Sequence, residues 1–192
     1  PILPMPKGPS MAVVARFIQR SKPWFTAACD LVFPPMCMLC GQPHETTRPA
    51  QFCEACRDRL CRDQRPRCER CCSTLPEHSA CIRCTSAPAV PFTAAVCLGP
   101  YERELRDAIL RSKHPAEIPL AAALGEQLCD LAGETMSTWQ IDRVVAMPMH
   151  WTRRLIRGVN GPQIVAERIA RRLRVPEVPV LVRGRNTPPQ AS

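Results

Sequence analysis

The feature that most constrains this chain is a series of four Cys-x2-Cys pairs between residues 37 and 84. A tight turn directs the two thiols of such a pair at one point, and two pairs together complete a tetrahedral zinc site. Twelve residues separate the first pair from the second, and nine separate the third from the fourth, so each gap can hold a short hairpin. Four pairs therefore predict two structural Zn²⁺ sites, with these ligands: Cys37, Cys40, Cys53, Cys56, Cys68, Cys71, Cys81 and Cys84.

The main alternative to zinc is a disulfide framework, and redox activity is a further one. The chain has 13 cysteines, an odd number, and residues 1–20 lack the continuous apolar stretch of an export signal. A cytoplasmic location is therefore expected, where thiols stay reduced and paired cysteines bind metal. Four thiolates leave no open position for water or substrate, so both zinc ions are predicted to be structural. We expect a strong chelator to unfold residues 37–84, because metal binding supplies the folding energy of such a module.

The pairing of the four turns is less constrained than the metal. Sequential pairing joins the first turn to the second and the third to the fourth, whereas a cross-braced arrangement alternates them. Sequential pairing closes shorter loops and costs less chain entropy, so it is favoured. Cys72 adjoins Cys71 and could replace it as a ligand, while Cys61 lies between the two sites as an additional thiol. The remaining cysteines stand in apolar contexts typical of core positions: Cys29, Cys97 and Cys129.

The positive charge of the chain, +9 overall, is concentrated in its C-terminal part. Residues 37–84 hold eight arginines against six acidic residues, but residues 143–185 hold ten arginines against two glutamates. This surplus indicates an anionic partner such as phosphate or nucleic acid. A solvated, arginine-rich helix face is an equally valid interpretation. No apolar run reaches the length of a membrane span.

Hydrophobic periodicity divides the rest of the chain into regular elements. Residues 1–33 are predicted to form an N-terminal helical segment, residues 34–86 the zinc module, and residues 92–192 an α/β domain with a parallel sheet. The predicted elements of the last part, in chain order, are strand 92–98, helix 101–113, helix 119–132, strand 143–147, helix 160–174 and strand 178–182.

In sheets of this kind, ligands bind at the carboxyl ends of the strands, so the segment after residue 147 is the expected site. It contains His150, three arginines and the start of a helix that Asn160 can cap. Guanidinium groups and the backbone N–H groups of a helix start are suited to phosphate recognition. A structural histidine and solvated arginines would account for the same residues.

Taken together, these motifs resemble the ComF family, whose members join a double zinc ribbon to a phosphoribosyltransferase-like domain. The resemblance covers residues from about 24 to the end of the chain. Its motifs are Phe33-Pro34-Pro35, the four cysteine pairs, Tyr101-Glu102-Arg103-Glu104-Leu105-Arg106-Asp107, Arg111-Ser112-Lys113, Pro148-Met149-His150, Arg157-Gly158-Val159-Asn160 and Arg185-Asn186-Thr187-Pro188-Pro189-Gln190.

The resemblance implies a type I phosphoribosyltransferase fold in which the segment 148–157 is similar to a pyrophosphate-binding loop. It implies contacts to phosphoribosyl pyrophosphate from five residues: Lys113, His150, Arg157, Gly158 and Asn160. Mg²⁺ would enter only with phosphoribosyl pyrophosphate in a full-length protein. Relatives are linked to competence and DNA uptake, which implies nucleic acid or a DNA-processing protein as a partner.

The sequence departs from that family in two places. The family's Arg-Gly-Phe-Asn-Gln reads Arg157-Gly158-Val159-Asn160-Gly161-Pro162-Gln163, and the sequence ends at Ser192 without an Asp-Asp pair followed by Thr-Thr-Gly. That missing loop holds the ribose 5-phosphate in the family, so we expect an incomplete domain that is inactive alone. The alternative prediction is a zinc-dependent module that binds nucleic acid or protein.

Overall fold

The structure, a computed structural model, describes residues 34–44, 52–63, 65–75, 80–86 and 91–187. The predicted N-terminal helical segment, residues 1–33, lies outside them, as does Cys29. In the described residues the chain forms six α-helices and one 3₁₀ turn, Pro115–Glu117. The helices are α1 Glu54–Leu60, α2 Ile82–Ser86, α3 Arg103–Arg111, α4 Ile118–Ser137, α5 Trp151–Arg157 and α6 Gly161–Leu173.

The cysteine-rich part is built twice from the same unit, a tight hairpin turn followed by the first turn of a helix. In the first unit the bridge between Met36 and Pro43 closes the hairpin, and Cys37 N–H donates to the Gln42 carbonyl at 2.9 Å. Gly41, with φ +69°, completes the turn in the left-handed conformation that glycine adopts without a steric cost. Cys53 then precedes α1, and its carbonyl accepts the Arg57 N–H at 3.0 Å.

The second unit repeats this geometry, with the bridge between Arg67 and Thr74 closing the hairpin. Cys68 N–H donates to the Ser73 carbonyl at 2.9 Å, and Cys81 precedes α2. The position that corresponds to Gly41 is taken by Cys72, whose φ is +57°. A side chain in this conformation is strained by its Cβ, so Cys72 belongs to the turn and not to the ligand set.

One hydrophobic core joins the first cysteine unit to the helices that follow. Cys37, Phe52, Cys56 and Leu60 are buried in a single cluster with residues of α3 and α4. The α3 and α4 members of this cluster are Leu105, Ala108, Leu120, Ala123 and Leu124. The core therefore crosses the boundary at residues 86–92 where the sequence suggested separate domains.

Helices α4 and α6 pack closely against each other. Glycine at position 125 allows this approach, because a Cβ there would lie 3.1 Å from the Arg168 Cβ. Alanines dominate the contact faces, with Ala166 and Ala170 of α6 each 5% exposed. Helix α4 begins at Ile118 with Pro119 in its first turn, where the missing N–H costs nothing. It extends to Ser137, five residues beyond the predicted end.

The predicted parallel sheet is represented in the described residues by a single parallel bridge between Val144 and Glu177. Val144 N–H donates to the Pro176 carbonyl at 3.0 Å, and Val178 N–H donates to the Val144 carbonyl at 2.9 Å. No strand forms in the described residues, so the parallel sheet and the α/β class are not confirmed. The two bridged residues are separated in the chain by α5 and α6, the order of a β-α-β unit.

Two other predictions need correction. Residues 92–98 were predicted as a strand but form no ladder, and Ala95 instead donates its N–H to the Glu69 carbonyl at 2.8 Å. The segment after residue 147 was predicted as a loop, but α5 forms there, begun by the His150 cap and ended by Gly158. The third predicted helix begins at Gly161 as expected, yet the Asn160 side chain makes no capping hydrogen bond.

Within the described part of the chain, no helix has the length and apolar character needed to cross a bilayer.

Candidate metal centres and anion-binding site

The eight predicted cysteine ligands gather into two clusters, each with sulfur atoms within 4.8 Å of one another. The first cluster comprises Cys37, Cys40, Cys53 and Cys56, and the second comprises Cys68, Cys71, Cys81 and Cys84. This is the sequential arrangement, with Cys71 and not Cys72 in the second cluster. The two hairpin turns and the two helix starts thus each contribute one pair of sulfurs to a site.

The spacing of the sulfurs fits zinc. A zinc ion about 2.3 Å from four sulfurs in a tetrahedron holds them about 3.8 Å apart. The Cys40 and Cys53 sulfurs are 3.8 Å apart, as are those of Cys68 and Cys84, while those of Cys71 and Cys81 are 3.5 Å apart. All these distances are far longer than a disulfide bond of about 2.05 Å. The described cysteines are all free thiols, and the two clusters fit two structural zinc ions.

The thiol pKa values explain why a cation is required. In the first cluster, burial raises the pKa of Cys56 to about 12. Burial acts in the same direction on Cys37, but hydrogen bonds from the Cys40 and Cys53 backbone lower its pKa to about 6 overall. In the second cluster, the hydrogen bond with Ser73 lowers the pKa of Cys71 to about 6. Without a divalent cation, four sulfurs this close cannot all ionise, and zinc removes that conflict.

The first cluster has two buried ligands, one partly exposed ligand, Cys53, and one exposed ligand, Cys40. Cys37 is 2% exposed and Cys56 is 1% exposed, and both lie in the hydrophobic core. The Arg59 guanidinium donates to the Cys56 sulfur at 2.9 Å and also to the Ala55 carbonyl at 3.3 Å. From α3, Arg111 donates to the carbonyls of Met38, at 2.9 Å, and Leu39, at 3.3 Å, between the first two ligands. These contacts orient the ligands from outside the coordination shell.

The second cluster has no fully buried ligand. Its four cysteines are all partly exposed, and α2, which carries Cys84 and directly follows Cys81, has no buried residue. The Cys71 sulfur contacts the Ser73 hydroxyl at 3.3 Å. Cys72 directs its thiol away from the cluster, donating to the Ala95 carbonyl at 3.0 Å. Together with the Ala95–Glu69 backbone bond, this contact attaches residues 91–97 to the second unit.

The cysteines outside the clusters have separate roles. Gln127, itself buried in α4, donates its side-chain amide to the Cys61 sulfur at 3.7 Å. Cys129 is 3% exposed, in keeping with the predicted core position, and burial raises its pKa to about 11. Cys97 is only partly buried, so the prediction that it is a core residue is confirmed only in part.

Asp63, a residue that the sequence did not single out, links the two ribbon units by ion pairs. Asp63 binds Arg65 at 2.7 Å and Arg67 at 2.7 Å, between the end of α1 and the second hairpin. The Arg65 guanidinium lowers the pKa of Asp63 to about 2. Arg67 also donates to the Cys72 carbonyl at 3.3 Å. Asp63 and Arg67 stand at i, i+4 spacing in the sequence, but only the fold shows that their ion pair lies between the two ribbon units.

Among the residues that the resemblance implies for substrate binding, His150 has a local structural contact. It is 8% exposed, and its Nδ1 lies 2.7 Å from the Thr152 hydroxyl and accepts the Thr152 N–H at 3.4 Å. The ring also stacks at a tilt on Trp151, with centroids 5.7 Å apart. Its Nδ1 is thereby engaged in capping α5.

Lys113, Gly158 and Asn160 belong to two segments that the structure brings together. A Cβ at Gly158 would lie 3.9 Å from Pro115, and one at Gly161 would lie 3.6 Å from the Ser112 carbonyl. The exposed Lys113 thus stands beside the start of α6. Gly158 has φ +69° and ends α5, which explains a glycine at this position.

A cavity of about 400 Å³ opens where residues 143–147 end and α6 begins. Asn160 lines it, but Lys113, His150, Arg157 and Gly158 do not. Arg154, one of the three arginines expected in this segment, lines it as well, and so does Arg183, which the sequence did not single out. The Asn160 Oδ1 atom is buried and has no hydrogen-bond partner, so a donor from a ligand or water is needed there.

Comparison with known families supports the assignment of the cysteine-rich part. The model of the double zinc ribbon domain matches residues 28–85, a range that includes all eight clustered cysteines. Neither a curated protein sequence nor a solved structure matches the chain significantly. Residues 28–85 of this chain therefore form a double zinc ribbon domain.

Proposed function

We propose that this chain is a ComF-type, phosphoribosyltransferase-like protein in which the zinc ribbon supports a domain that binds a phosphoribosyl ligand. The cavity lined by Asn160, Arg154 and Arg183 carries the proposal, because it lies where residues 143–147 end and α6 begins. In doubly wound α/β proteins this is the usual place for a ligand. Two of the motifs that resemble the ComF family contribute to its lining, one through Pro148 and Met149 and the other through Asn160.

The groups at the cavity fit a ligand that carries both phosphate and hydroxyl groups. Arg154 and Arg183 supply charged donors that favour phosphate oxygens, and the start of α6 adds the positive end of its dipole. The unpartnered Asn160 Oδ1 is an acceptor and requires a donor. A ribose hydroxyl donates such a hydrogen bond, whereas a phosphate oxygen does not. We assign binding to this site and no catalytic step.

A calorimetric titration tests this proposal on the zinc-loaded full chain, with phosphoribosyl pyrophosphate and Mg²⁺. We expect binding that Arg154→Gln weakens about tenfold or more, since a hydrogen bond to a charged group contributes about 1.5–3 kcal/mol. Arg106→Gln, an exposed substitution on α3, serves as the matched control and should bind as the wild type does. No binding at millimolar ligand would contradict the proposal. Equally tight binding of pyrophosphate alone would contradict the role of Asn160.

A second candidate function is nucleic acid binding by α5 and its surroundings. Trp151, Leu155 and Ile156 are 65%, 76% and 84% exposed on this helix, beside the arginines at positions 153 and 154. An exposed aromatic ring with flanking guanidinium groups is typical of single-strand binding surfaces. Steep salt dependence of oligonucleotide binding, lost in Trp151→Ala, would support it. Absence of binding at low salt would exclude it.

A further inference from the structure

Helix α5 presents apolar side chains to solvent. Trp151, Leu155 and Ile156 are all largely exposed, and no residue of this helix is buried. Trp151 and Leu155 stand four residues apart, so they lie on the same side of the helix. Leu155 and Ile156 do not line the adjacent cavity. The proposed phosphoribosyl site therefore does not account for them.

A second exposed apolar segment adjoins α5. Leu181 and Val182 are 51% and 90% exposed, and both line the same cavity as the α5 tryptophan. Arg153 of α5 donates to the Thr187 carbonyl, and Arg183 donates to the Thr187 hydroxyl. These contacts hold the two segments side by side. Their five exposed apolar side chains form a patch, here called the α5 patch, of the kind that marks an interaction site.

The charge around the α5 patch has one sign. The sequence contains no aspartate or glutamate from residue 143 to residue 166, and none from residue 178 to residue 187. Among the lining residues of the cavity, Glu177 alone is acidic. Five arginines of the two segments stand against it: Arg153, Arg154, Arg157, Arg183 and Arg185. The patch therefore attracts a negatively charged surface.

Other occupants of the α5 patch fit its composition less well. A second copy of the chain would bring the same arginines against it. Residues 1–33 contain apolar side chains, but with four basic residues against Asp30 they are positively charged as well. A nucleic acid attracts arginines and stacks on an aromatic ring, but its backbone offers no apolar surface to Leu155 and Ile156. A protein interface is depleted of charge at its core, whereas on α5 the arginines are interleaved with the apolar residues.

We propose that the α5 patch docks this protein on the surface of an anionic lipid bilayer. The apolar side chains enter the boundary between headgroups and acyl chains, where tryptophan is favoured. The arginines extend to the lipid phosphates, because their apolar stems can lie in the same boundary. With seven residues, α5 lies on the bilayer and is too short to span it. Affinity then depends both on apolar burial and on charge.

Co-sedimentation with vesicles tests the proposal on the zinc-loaded full chain, and protein that sediments without vesicles is subtracted. One set of vesicles contains phosphatidylcholine and phosphatidylglycerol in equal amounts, and the other contains phosphatidylcholine alone. We expect binding to the anionic vesicles that falls steeply with added salt, because ions screen the arginines. Binding to the neutral vesicles should be about tenfold weaker or less than that. No binding to anionic vesicles at low salt, or equal binding to both sets, would overturn the proposal.

A double variant, Leu155→Ser with Ile156→Ser, separates apolar insertion from charge. We expect its binding to anionic vesicles to weaken about tenfold or more, since the aliphatic side chains no longer gain free energy by leaving water. The matched control is Ile118→Ser with Leu131→Ser, which removes two exposed aliphatic side chains from α4 and should bind as the wild type does. Equal binding of the two double variants would overturn the insertion of α5.

The α5 double variant also distinguishes the other occupants. Without vesicle binding by the wild type, a dimer that dissociates in this variant would assign the patch to a second copy, and oligonucleotide binding that is lost in it would assign the patch to nucleic acid. Either result would overturn the proposal. Phosphoribosyl pyrophosphate should bind to the variant as to the wild type, because neither substituted residue lines the cavity. The bilayer proposal and the proposed function can therefore fail separately.

Discussion

Arg111 of α3 provides the sharpest test of how the zinc ribbon is held to the helices. Its guanidinium donates to the Met38 carbonyl at 2.9 Å and to the Leu39 carbonyl at 3.3 Å, within the first zinc-binding turn. It also pairs with Glu117 at 3.1 Å. One side chain thus joins α3, the 3₁₀ turn and the first cluster. We predict that Arg111→Met destabilises the protein and weakens zinc binding at the first cluster.

The magnitude follows from the individual contacts. A hydrogen bond from a charged group contributes about 1.5–3 kcal/mol, and the longer of the two contributes less than the shorter. The Arg111 side chain is 42% exposed, so water replaces part of what is lost. A partly exposed ion pair adds at most about 1 kcal/mol. The expected loss in the free energy of unfolding is therefore about 2–4 kcal/mol, at a fixed concentration of zinc.

Urea unfolding followed by circular dichroism measures this loss, and competition with a chelator measures the affinity of the first site. Arg106→Met is the matched control on the same helix. Its ion pair with Asp107, at 3.7 Å, joins side chains that are 55% and 70% exposed. Exposed pairs contribute about 0–1 kcal/mol. If Arg111→Met costs no more than Arg106→Met, the proposed link between the ribbon and α3 is wrong.

Four further predictions concern the metal sites and the packing. Cys71→Ser should lower the zinc content from two to one by elemental analysis, whereas Cys72→Gly should keep two, since the Cys72 sulfur is outside the cluster. Leu120→Ala, at a position 0% exposed, should cost about 2–5 kcal/mol in urea unfolding. Gly158→Ala should cost about 1–2 kcal/mol, measured as a lower melting temperature, because φ is +69° there. Chelation of both zinc ions should abolish helical signal beyond α1 and α2, because structural zinc contributes about 10–16 kcal/mol in small domains; full retention of that signal would contradict a shared core.

The zinc ribbon was predictable because its signal is local. Each ligand pair occupies one turn, so spacing alone selected the eight sulfurs, and loop entropy favoured the sequential arrangement found in the structure. The ambiguity between Cys71 and Cys72 could not be resolved from spacing. It depends on backbone conformation, because Cys72 takes the left-handed position that Gly41 occupies in the first unit. An alignment of the two units, which places Cys72 at the position of Gly41, would have favoured Cys71 as the ligand.

The part of the chain after the ribbon was predicted less well wherever contacts between distant segments determine the local structure. Asp107 and Arg111 stand at i, i+4 spacing in the sequence, yet Arg111 reaches the carbonyls of the distant first turn and Glu117. Residues 92–98 are mostly apolar, as expected of a strand, but their one ladder-like bond goes to Glu69 of the ribbon. Helix α5 was missed because it has only seven residues and none of them is buried. The predicted substrate residues remain predictions, and the cavity adds Arg154 and Arg183 to them.

The position of the first cluster changes how the zinc ribbon is understood in this chain. A ribbon that folded alone would need only its metal, because such a small unit has little apolar surface to bury. Here Cys37 and Cys56 lie in the same buried cluster as Leu105 and Leu120, residues of α3 and α4. Zinc therefore fixes the two cysteine-bearing segments against which α3 and α4 pack, and these helices in turn shield the sulfurs of Cys37 and Cys56. None of the four cysteines of the second cluster belongs to that core, so the first zinc site, and not the second, connects the ribbon to the helices.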